Sequence, residues 1–168
     1  MRVLSDTEAV EAGRFLQHAA HLALRSKCLR SRGGSVLVKD QKIIGEGWNS
    51  PPLDECIEVC LKEVLPQEFK GDKTCCVHAE QRAMIDALDY HGKTYVQNSR
   101  IYFVRLDETG TIKYAGHPNC TTCSKSALDV GIAEFVLYHQ SGITVYDTRE
   151  YNNITFQHAS LSRTLEHA

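Results

Sequence analysis

The sequence predicts an α/β protein with three layers, in which helices flank a mixed sheet of about five strands. Two observations predict this class. Segments with apolar residues at helical spacing alternate with short runs rich in β-branched residues, and no internal repeat or low-complexity tract interrupts them. A chain of 168 residues can also bury a self-sufficient core, so we expect one domain over residues 1–168.

The first part of the chain predicts a helix followed by a β-hairpin. Apolar side chains recur at helical spacing over residues 6–27. The runs SVLVK (35–39) and KIIGEGW (42–48) are rich in β-branched residues, and only two polar residues separate them. Such a short link is typical of an antiparallel hairpin.

The middle of the chain predicts an insertion, a helix and a strand. Residues 51–76 have only a weak helical pattern and carry four of the seven cysteines, so we interpret them as an insertion. Residues 78–88 place alanines and other apolar residues on one helical face, and Gly92 lies where such a helix would end. The apolar run RIYFVRL (100–106) predicts a central strand.

The last part of the chain predicts helix, strand, strand and helix. Residues 120–130 have a helical pattern that ends at a glycine, and residues 133–138 and 143–147 are typical of strands. Because the link between these strands is short, we expect them to pair antiparallel. A final helix is predicted from about residue 153 to the C-terminus.

Composition favours a protein that acts on small molecules. The formal net charge of -2 provides no general attraction for phosphate backbones, which makes long nucleic acid an unlikely partner. No apolar run has the length of a membrane span and the N-terminus lacks a signal-peptide core, so we expect a cytoplasmic protein. Seven cysteines in a reducing compartment indicate metal ligands and free thiols rather than disulfides.

Two short motifs carry the chemistry. His78-Ala79-Glu80 and Cys120-Thr121-Thr122-Cys123 each begin a predicted helix. Two thiols three residues apart and one imidazole can hold Zn²⁺ while a fourth position stays open, which is the arrangement of catalytic zinc. Zinc lowers the pKa of a bound water to about 7. Glu80, offset from the ligand by two residues, is predicted to move the protons.

This combination matches the H-x-E and P-C-x-x-C signature described for zinc deaminases, with one difference. The chain reads Pro118-Asn119-Cys120, one residue longer than the usual spacing. A lone C-x-x-C can also be a redox pair or half of a structural zinc site. The upstream His-x-Glu, and the absence of a second C-x-x-C, favour catalytic zinc.

With these motifs, residues 25–138 outside the insertion resemble the cytidine and deoxycytidylate deaminase superfamily, most of all its deoxycytidylate branch. The likeness extends to RSKCLRSRGGSVLVKDQKIIGEGWNSPP and CSKSALDVGIAEFVLY. It implies a cytidine-deaminase-like fold and hydrolytic deamination of a cytosine-bearing nucleotide or nucleoside, with dCMP favoured. It also implies a homo-oligomer. The short final strand link is more similar to the free-nucleoside deaminases.

The resemblance also implies roles for single residues. Asn49 and Ala79 would contact the substrate, although Asn49 could instead form the turn before Ser50-Pro51-Pro52. Arg82 stands where deoxycytidylate members commonly have Asn, and Trp48 replaces the usual Tyr. Arg82 is interpreted either as a phosphate ligand or as a solvated charge.

The insertion cysteines suggest a second, structural zinc site, because the resembling family sometimes has one in this region. The candidate ligands are Cys56, Cys60, Cys75 and Cys76. Cys28 and several histidines are alternative ligands, and free thiols are the alternative to any metal.

Two rival functions stay open. One is deamination of another base, such as adenine in transfer RNA or guanine, with the same metal site. The other is an inactive, zinc-stabilised binding or assembly module, although such a module has no use for the Glu80 carboxylate.

Overall fold

The centre of the molecule is a mixed sheet, seen in a computed structural model that describes residues 1–66 and 75–165. In the described chain its seven strands follow the order β1-β7-β6-β4-β2-β3, and β5 pairs with β4. The β4–β6 pair is parallel and the others are antiparallel. The strands are β1 Arg2–Val3, β2 Arg32–Lys39, β3 Lys42–Trp48, β4 Arg100–Leu106, β5 Ile112–Lys113, β6 Glu134–His139 and β7 Gly142–Asp147.

All five predicted strands form, and the antiparallel pairing predicted for the last two is confirmed. The structure adds β1 and β5, which are two residues long and too short to produce a pattern in the sequence. The sheet therefore has seven strands rather than about five.

Five helices accompany the sheet in the described chain: α1 Asp6–Ala23, α2 Leu61–Val64, α3 Ala79–Val96, α4 Thr121–Val130 and α5 Thr148–Leu165. The first helix ends before the predicted residue 27, and α5 begins before the predicted residue 153. The side chain of Asp147 explains the early start of α5, because its Oδ1 accepts hydrogen bonds from two backbone N–H groups of the first turn. The last three residues of the predicted final helix lie outside the described residues.

Helices cover both faces of the sheet, which confirms the three-layer prediction. On one face α1 packs on a buried cluster to which β2 contributes Val36 and Val38. On the other face α3, α4 and α5 pack on a second cluster to which β2 contributes Leu37. Successive residues of a strand point to opposite faces, so β2 serves both clusters.

Two glycines of β3 let α3 lie directly against the sheet. A Cβ at Gly45 would lie 2.2 Å from the carbonyl oxygen of Ala83, and a Cβ at Gly47 would lie 2.2 Å from that of Ala79. Only glycine permits such an approach. The first turns of α3 are thereby fixed relative to the sheet.

The insertion leaves and rejoins the fold at one place. Ser50 and Val77, which flank residues 51–76, form an antiparallel bridge with N–H to O distances of 2.9 and 3.3 Å. Between them the described part contains a 3₁₀ turn at Pro52–Asp54 and the short α2. Residues 67–74 of the predicted insertion lie outside the described part. No described helix is long and apolar enough to cross a membrane.

Candidate active site

The structure brings the three predicted metal ligands together. His78 is the N-cap of α3, Cys120 is the N-cap of α4, and Cys123 lies in the first turn of α4. The Nδ1 atom of His78 lies 3.2 Å from the Sγ atom of each cysteine. All three donor atoms lie within 4.8 Å of one another.

Local hydrogen bonds set the geometry of these helix starts. The backbone N–H of Cys123 donates to Sγ of Cys120 at 3.4 Å, and the N–H of His78 donates to Oε1 of Gln81 at 3.1 Å. The positive end of a helix dipole also favours the thiolate form of a nearby cysteine. Each ligand is thus held by the start of a helix.

The donor set fits zinc. One imidazole nitrogen and two sulfurs are ligands that Zn²⁺ prefers, and the usual bond lengths place such donors roughly 3.5 Å apart around a tetrahedral ion. The observed nitrogen–sulfur distances of 3.2 Å are close to that spacing. No fourth His, Cys, Asp or Glu of the described residues joins this group, which leaves one position of a tetrahedral ion open.

The two thiols differ in proton affinity. Contact with Cys123 and with His78 outweighs burial and lowers the pKa of Cys120 to about 4, which makes it a thiolate at neutral pH. The same contact with Cys120, together with burial, raises the pKa of Cys123. The metal-free pair therefore shares one proton, which a bound cation would displace.

Glu80 lies in the first turn of α3 and is 5% exposed. Burial raises its pKa to about 6, the Cys120 thiolate acts in the same direction, and His78 partly opposes the rise. A carboxyl group with a pKa near neutrality can both accept and return a proton, which is what general acid–base catalysis requires.

Asn49 follows β3, and its side chain is engaged by the loop that precedes β2. Its Oδ1 accepts hydrogen bonds from the Gly33 N–H at 2.6 Å and from the Ser26 hydroxyl at 2.9 Å. Its Nδ2 donates to the Ser31 carbonyl at 2.9 Å. Because one N–H of Nδ2 is bound to Ser31, the second N–H is left to offer a substrate.

Ala79 is fully buried at the start of α3. A substrate contact of this residue would be made by its backbone, since alanine has no polar side-chain atom. The predicted substrate contacts of Asn49 and Ala79 stay predictions.

Arg82 is held by contacts with the insertion and is not a solvated charge, whereas its interpretation as a phosphate ligand stays a prediction. Its Nη1 lies 3.1 Å from Oδ1 of Asp54, and its Nη2 donates to the Pro51 carbonyl at 2.7 Å. The side chain is 18% exposed. Asp54 also accepts from the Trp48 indole at 3.0 Å. Sequence reasoning missed Asp54, because nothing in the insertion marks it as the partner of a distant arginine.

Comparison with known proteins agrees with this geometry. Residues 10–139 match the family model of the cytidine and deoxycytidylate deaminase zinc-binding region. The chain belongs to this deaminase family. It is 31% identical over 132 residues to a deoxycytidylate deaminase of Saccharomyces cerevisiae, covering 76% of this chain and 36% of the yeast protein. It is 30% identical over 135 residues to a deoxycytidylate deaminase of Mycobacterium phage D29, covering 76% of this chain and 93% of the phage protein.

Solved structures show the same fold. The dCMP deaminase of cyanophage S-TIM5 in apo form superposes with a TM-score of 0.55 at 20% identity, covering 78% of this chain and 82% of the phage chain. The same enzyme in complex with dCMP and dUMP gives a TM-score of 0.54 at 21% identity, with 79% and 82% covered. The chain spans about a third of the length of the two yeast deoxycytidylate deaminases that it matches, 36% in each case.

Two of the four cysteines predicted to hold a second zinc are in contact in the structure. The Sγ atoms of Cys60 and Cys75 lie 3.7 Å apart, and the thiols of Cys28 and Cys76 are in hydrogen-bond contact. Cys56 is exposed. In the described part of the chain, no compact group of metal donors forms outside the His78 site. Cys28, the alternative ligand, contacts one of the predicted ligands, Cys76.

Proposed function

We propose that this member of the deaminase family is a zinc-dependent enzyme that hydrolyses a dCMP-type nucleotide to its uracil form and ammonia. The observation that carries the proposal is the convergence of His78, Cys120 and Cys123 beside the buried carboxyl group of Glu80. The name of the phage D29 relative, of which the chain covers 93%, supports the dCMP-type substrate.

Different residues of the chain would bind the metal and transfer the protons. His78, Cys120 and Cys123 hold Zn²⁺, which when bound lowers the pKa of a water and so supplies a nucleophile at neutral pH. Glu80 would take one proton from the attacking water and give it to the ring nitrogen, and would then take the proton of the new hydroxyl at C4 and give it to the amine as the C4–N bond breaks. Water adds at C4 of the ring and ammonia leaves, so no oxidant or second substrate is needed. Burial of Glu80 keeps its pKa at about 6, near the working pH.

Substrate contacts are assigned to Asn49 and Ala79. The contacts of Asn49 with Ser31 and Gly33 orient its amide and leave one N–H for a sugar or base edge. The peptide of Ala79, between His78 and Glu80, lies beside the reacting centre in the sequence.

Activity against a panel of substrates tests the proposal. Ammonia release is measured with the zinc-loaded full chain and dCMP, CMP, deoxycytidine, adenosine and guanine. We expect dCMP to give a kcat/KM at least about tenfold above that of deoxycytidine, since a site built for a charged group discriminates strongly against its absence. A preference for adenosine or guanine would support the other-base rival, and no release from any compound would support an inactive module.

We also propose a second, structural zinc held by Cys28, Cys60, Cys75 and Cys76. The contacts of Cys60 with Cys75 and of Cys28 with Cys76 support it. The wild type should contain two zinc ions per chain by elemental analysis, and Cys60→Ser should contain one. Cys56→Ser is the matched control and should keep two. One zinc in the wild type would overturn this second site.

Two further proposals concern context. A homo-oligomer is supported by the exposed Ile85 and Tyr90, which line an open groove of about 740 Å³ between α3 and the edge strand β3. Sedimentation should show an assembly that Ile85→Glu dissociates, and a wild-type monomer would contradict it.

A cytoplasmic site of action is supported by the seven cysteines, none of which forms a disulfide within the described residues.

A further inference from the structure

A buried serine connects the cysteine-bearing turn to the last helix. Ser124 directly follows Cys123 and is fully buried. Its Oγ lies 2.9 Å from Oδ1 of Asn152, which is in the second turn of α5. The hydroxyl of α4 and the amide of α5 thus meet behind the proposed metal site.

Ser124 also contacts the backbone at the start of the turn on which the thiol ligands lie. Its Oγ lies 3.2 Å from the carbonyl oxygen of Thr121, and its backbone N–H donates to the carbonyl oxygen of Cys120 at 3.1 Å. A displacement of Ser124 would therefore change the separation of Cys120 and Cys123.

Asn152 is held in place by its own neighbour. The ring of Tyr151 stacks on that of Phe135 in β6, with centroids 4.1 Å apart and planes 17° apart. Both rings are buried in the same core cluster. This stacking fixes the backbone of α5 relative to the sheet. The contact of Asn152 with Ser124 then fixes α4 relative to α5.

Packing alone does not explain a hydroxyl group at position 124. Ala127, one turn further along α4, is also buried, so burial in this helix does not by itself require a hydroxyl group. A buried hydroxyl costs free energy unless it is hydrogen-bonded, and its bond to another helix is worth most where it fixes geometry.

We propose that Ser124 and Asn152 are positioning residues for the metal, which hold Cys120 and Cys123 at the separation that zinc requires. The inference rests on the proposed function in taking zinc as the bound ion. Groups that orient metal ligands without touching the metal typically change its affinity by about 10- to 100-fold.

Zinc affinity, measured by competition with a chelator, tests the proposal. Ser124→Ala and Asn152→Leu should each weaken zinc binding about tenfold. Ser126→Ala and Asn153→Leu are matched controls and should stay within about twofold. Ser126 makes only the local bond, from its Oγ to the Thr122 carbonyl at 3.0 Å, and Asn153 is exposed. The double variant Ser124→Ala/Asn152→Leu should lose clearly less than the sum of the two single losses, because both single changes remove the same contact between Ser124 and Asn152.

Thermal unfolding separates positioning from general stability. The metal-free variants should unfold within a few degrees of their controls, whereas the rise in Tm on adding zinc should be smaller in Ser124→Ala and Asn152→Leu. Asn152→Asp keeps an oxygen that accepts from Ser124 and should recover most of the zinc affinity, which covers the case in which Asn152→Leu fails to fold.

Equal zinc affinity in the variants and their controls would overturn the inference, as would an additive loss in the double variant. These outcomes are separate from failure of the proposed function. A wild type that binds zinc tightly but deaminates nothing would refute the function alone. A wild type that deaminates dCMP while the variants match their controls would refute the positioning role alone.

Discussion

Arg82 and Asp54 join the helix that begins at His78 to the insertion that precedes it, with Nη1 and Oδ1 3.1 Å apart. Asp54 accepts in addition from the indole of Trp48. The guanidinium groups of Arg25 and Arg82 lie 3.6 and 5.6 Å from the centroid of that ring. The loop that carries Asn49 is thus enclosed by ion-pair and cation–π contacts. These contacts hold Pro51 and Asp54, at the start of the insertion, beside α3.

Replacing Arg82 should destabilise the protein. Arg82→Met keeps an apolar stem but leaves Asp54 and the Pro51 carbonyl without their cationic donor, so we expect a loss of about 1–3 kcal/mol in the free energy of unfolding. Urea unfolding measures it. Arg14→Met, on the exposed side of α1, is the control and should change the value by less than about 0.5 kcal/mol. Equal effects of both changes would contradict a structural role for Arg82.

The pH dependence of stability should reveal the same ion pair. Burial alone would raise the pKa of Asp54, but hydrogen bonds from Ser50 and Trp48 and the charge of Arg82 outweigh it and hold the pKa below its ordinary value. In the unfolded chain the pKa of an aspartate is about 3.9. Because the folded-state pKa of Asp54 is lower, its carboxylate stabilises the fold above about pH 3.9, and this stabilisation is lost as the pH falls through the folded-state pKa.

Wild type and Asp54→Asn, both with metal removed, should therefore differ most in unfolding free energy near neutral pH. The difference should shrink below about pH 4, where Asp54 of the unfolded chain takes up a proton, and should be lost once the folded carboxylate is also protonated. Urea unfolding at several pH values measures it. A difference that grows on acidification would show that Asp54 is not stabilised as a carboxylate.

The strands and the metal motif could be predicted because both are local. Two cysteines three residues apart at a helix start must lie near each other, and alternating or apolar β-branched runs pack in only a few ways. The true start of α5 was not predicted. Asp147 caps a first turn that is polar and has no apolar stripe, so the sequence there has no helical pattern. The metal ligands of the site could therefore be predicted from local sequence patterns.

Features that depend on distant partners could not be predicted. Strand β1 forms because Arg2 and Val3 meet β7, and two residues cannot indicate a strand by themselves. The contact of Cys28 with Cys76 and the pairing of Arg82 with Asp54 join segments that only the fold brings together. Asn49 was identified from a resemblance, and its bonds to the loop before β2 gave no signal in the sequence.

A methyl group at Gly47 should disrupt the contact between β3 and α3. The new Cβ would lie 2.2 Å from the carbonyl oxygen of Ala79, and backbone cannot move aside as a flexible side chain can. Gly47→Ala should therefore lower the unfolding free energy by at least about 2 kcal/mol in urea unfolding. Gly13→Ala is the control, since nothing lies within 4 Å of its Cβ and α1 should gain about 0.5–1 kcal/mol. A neutral Gly47→Ala would mean that β3 and α3 lie further apart.

Removal of metal should expose the ligand thiols to alkylation. With zinc bound, Cys120 and Cys123 are coordinated, and iodoacetamide should react first with the exposed Cys56. After chelation Cys120 should become the more reactive of the two ligands, because its pKa of about 4 makes it a thiolate. Mass spectrometry of the labelled peptides measures the order. Equal labelling of Cys120 with and without zinc would contradict its role as a ligand.

The last prediction concerns Glu80. Glu80→Gln should keep zinc bound and the fold intact while removing nearly all turnover, because glutamine is nearly isosteric but cannot accept and return a proton. A general acid–base group contributes typically about 10² to 10⁴-fold, and one residue that serves both protonation steps should lie at the upper end. Steady-state kcat with dCMP and zinc content by elemental analysis are measured together. A loss below about tenfold with zinc retained would mean that another residue moves the protons. Loss of zinc along with activity would instead make Glu80 a ligand or a structural support of the site.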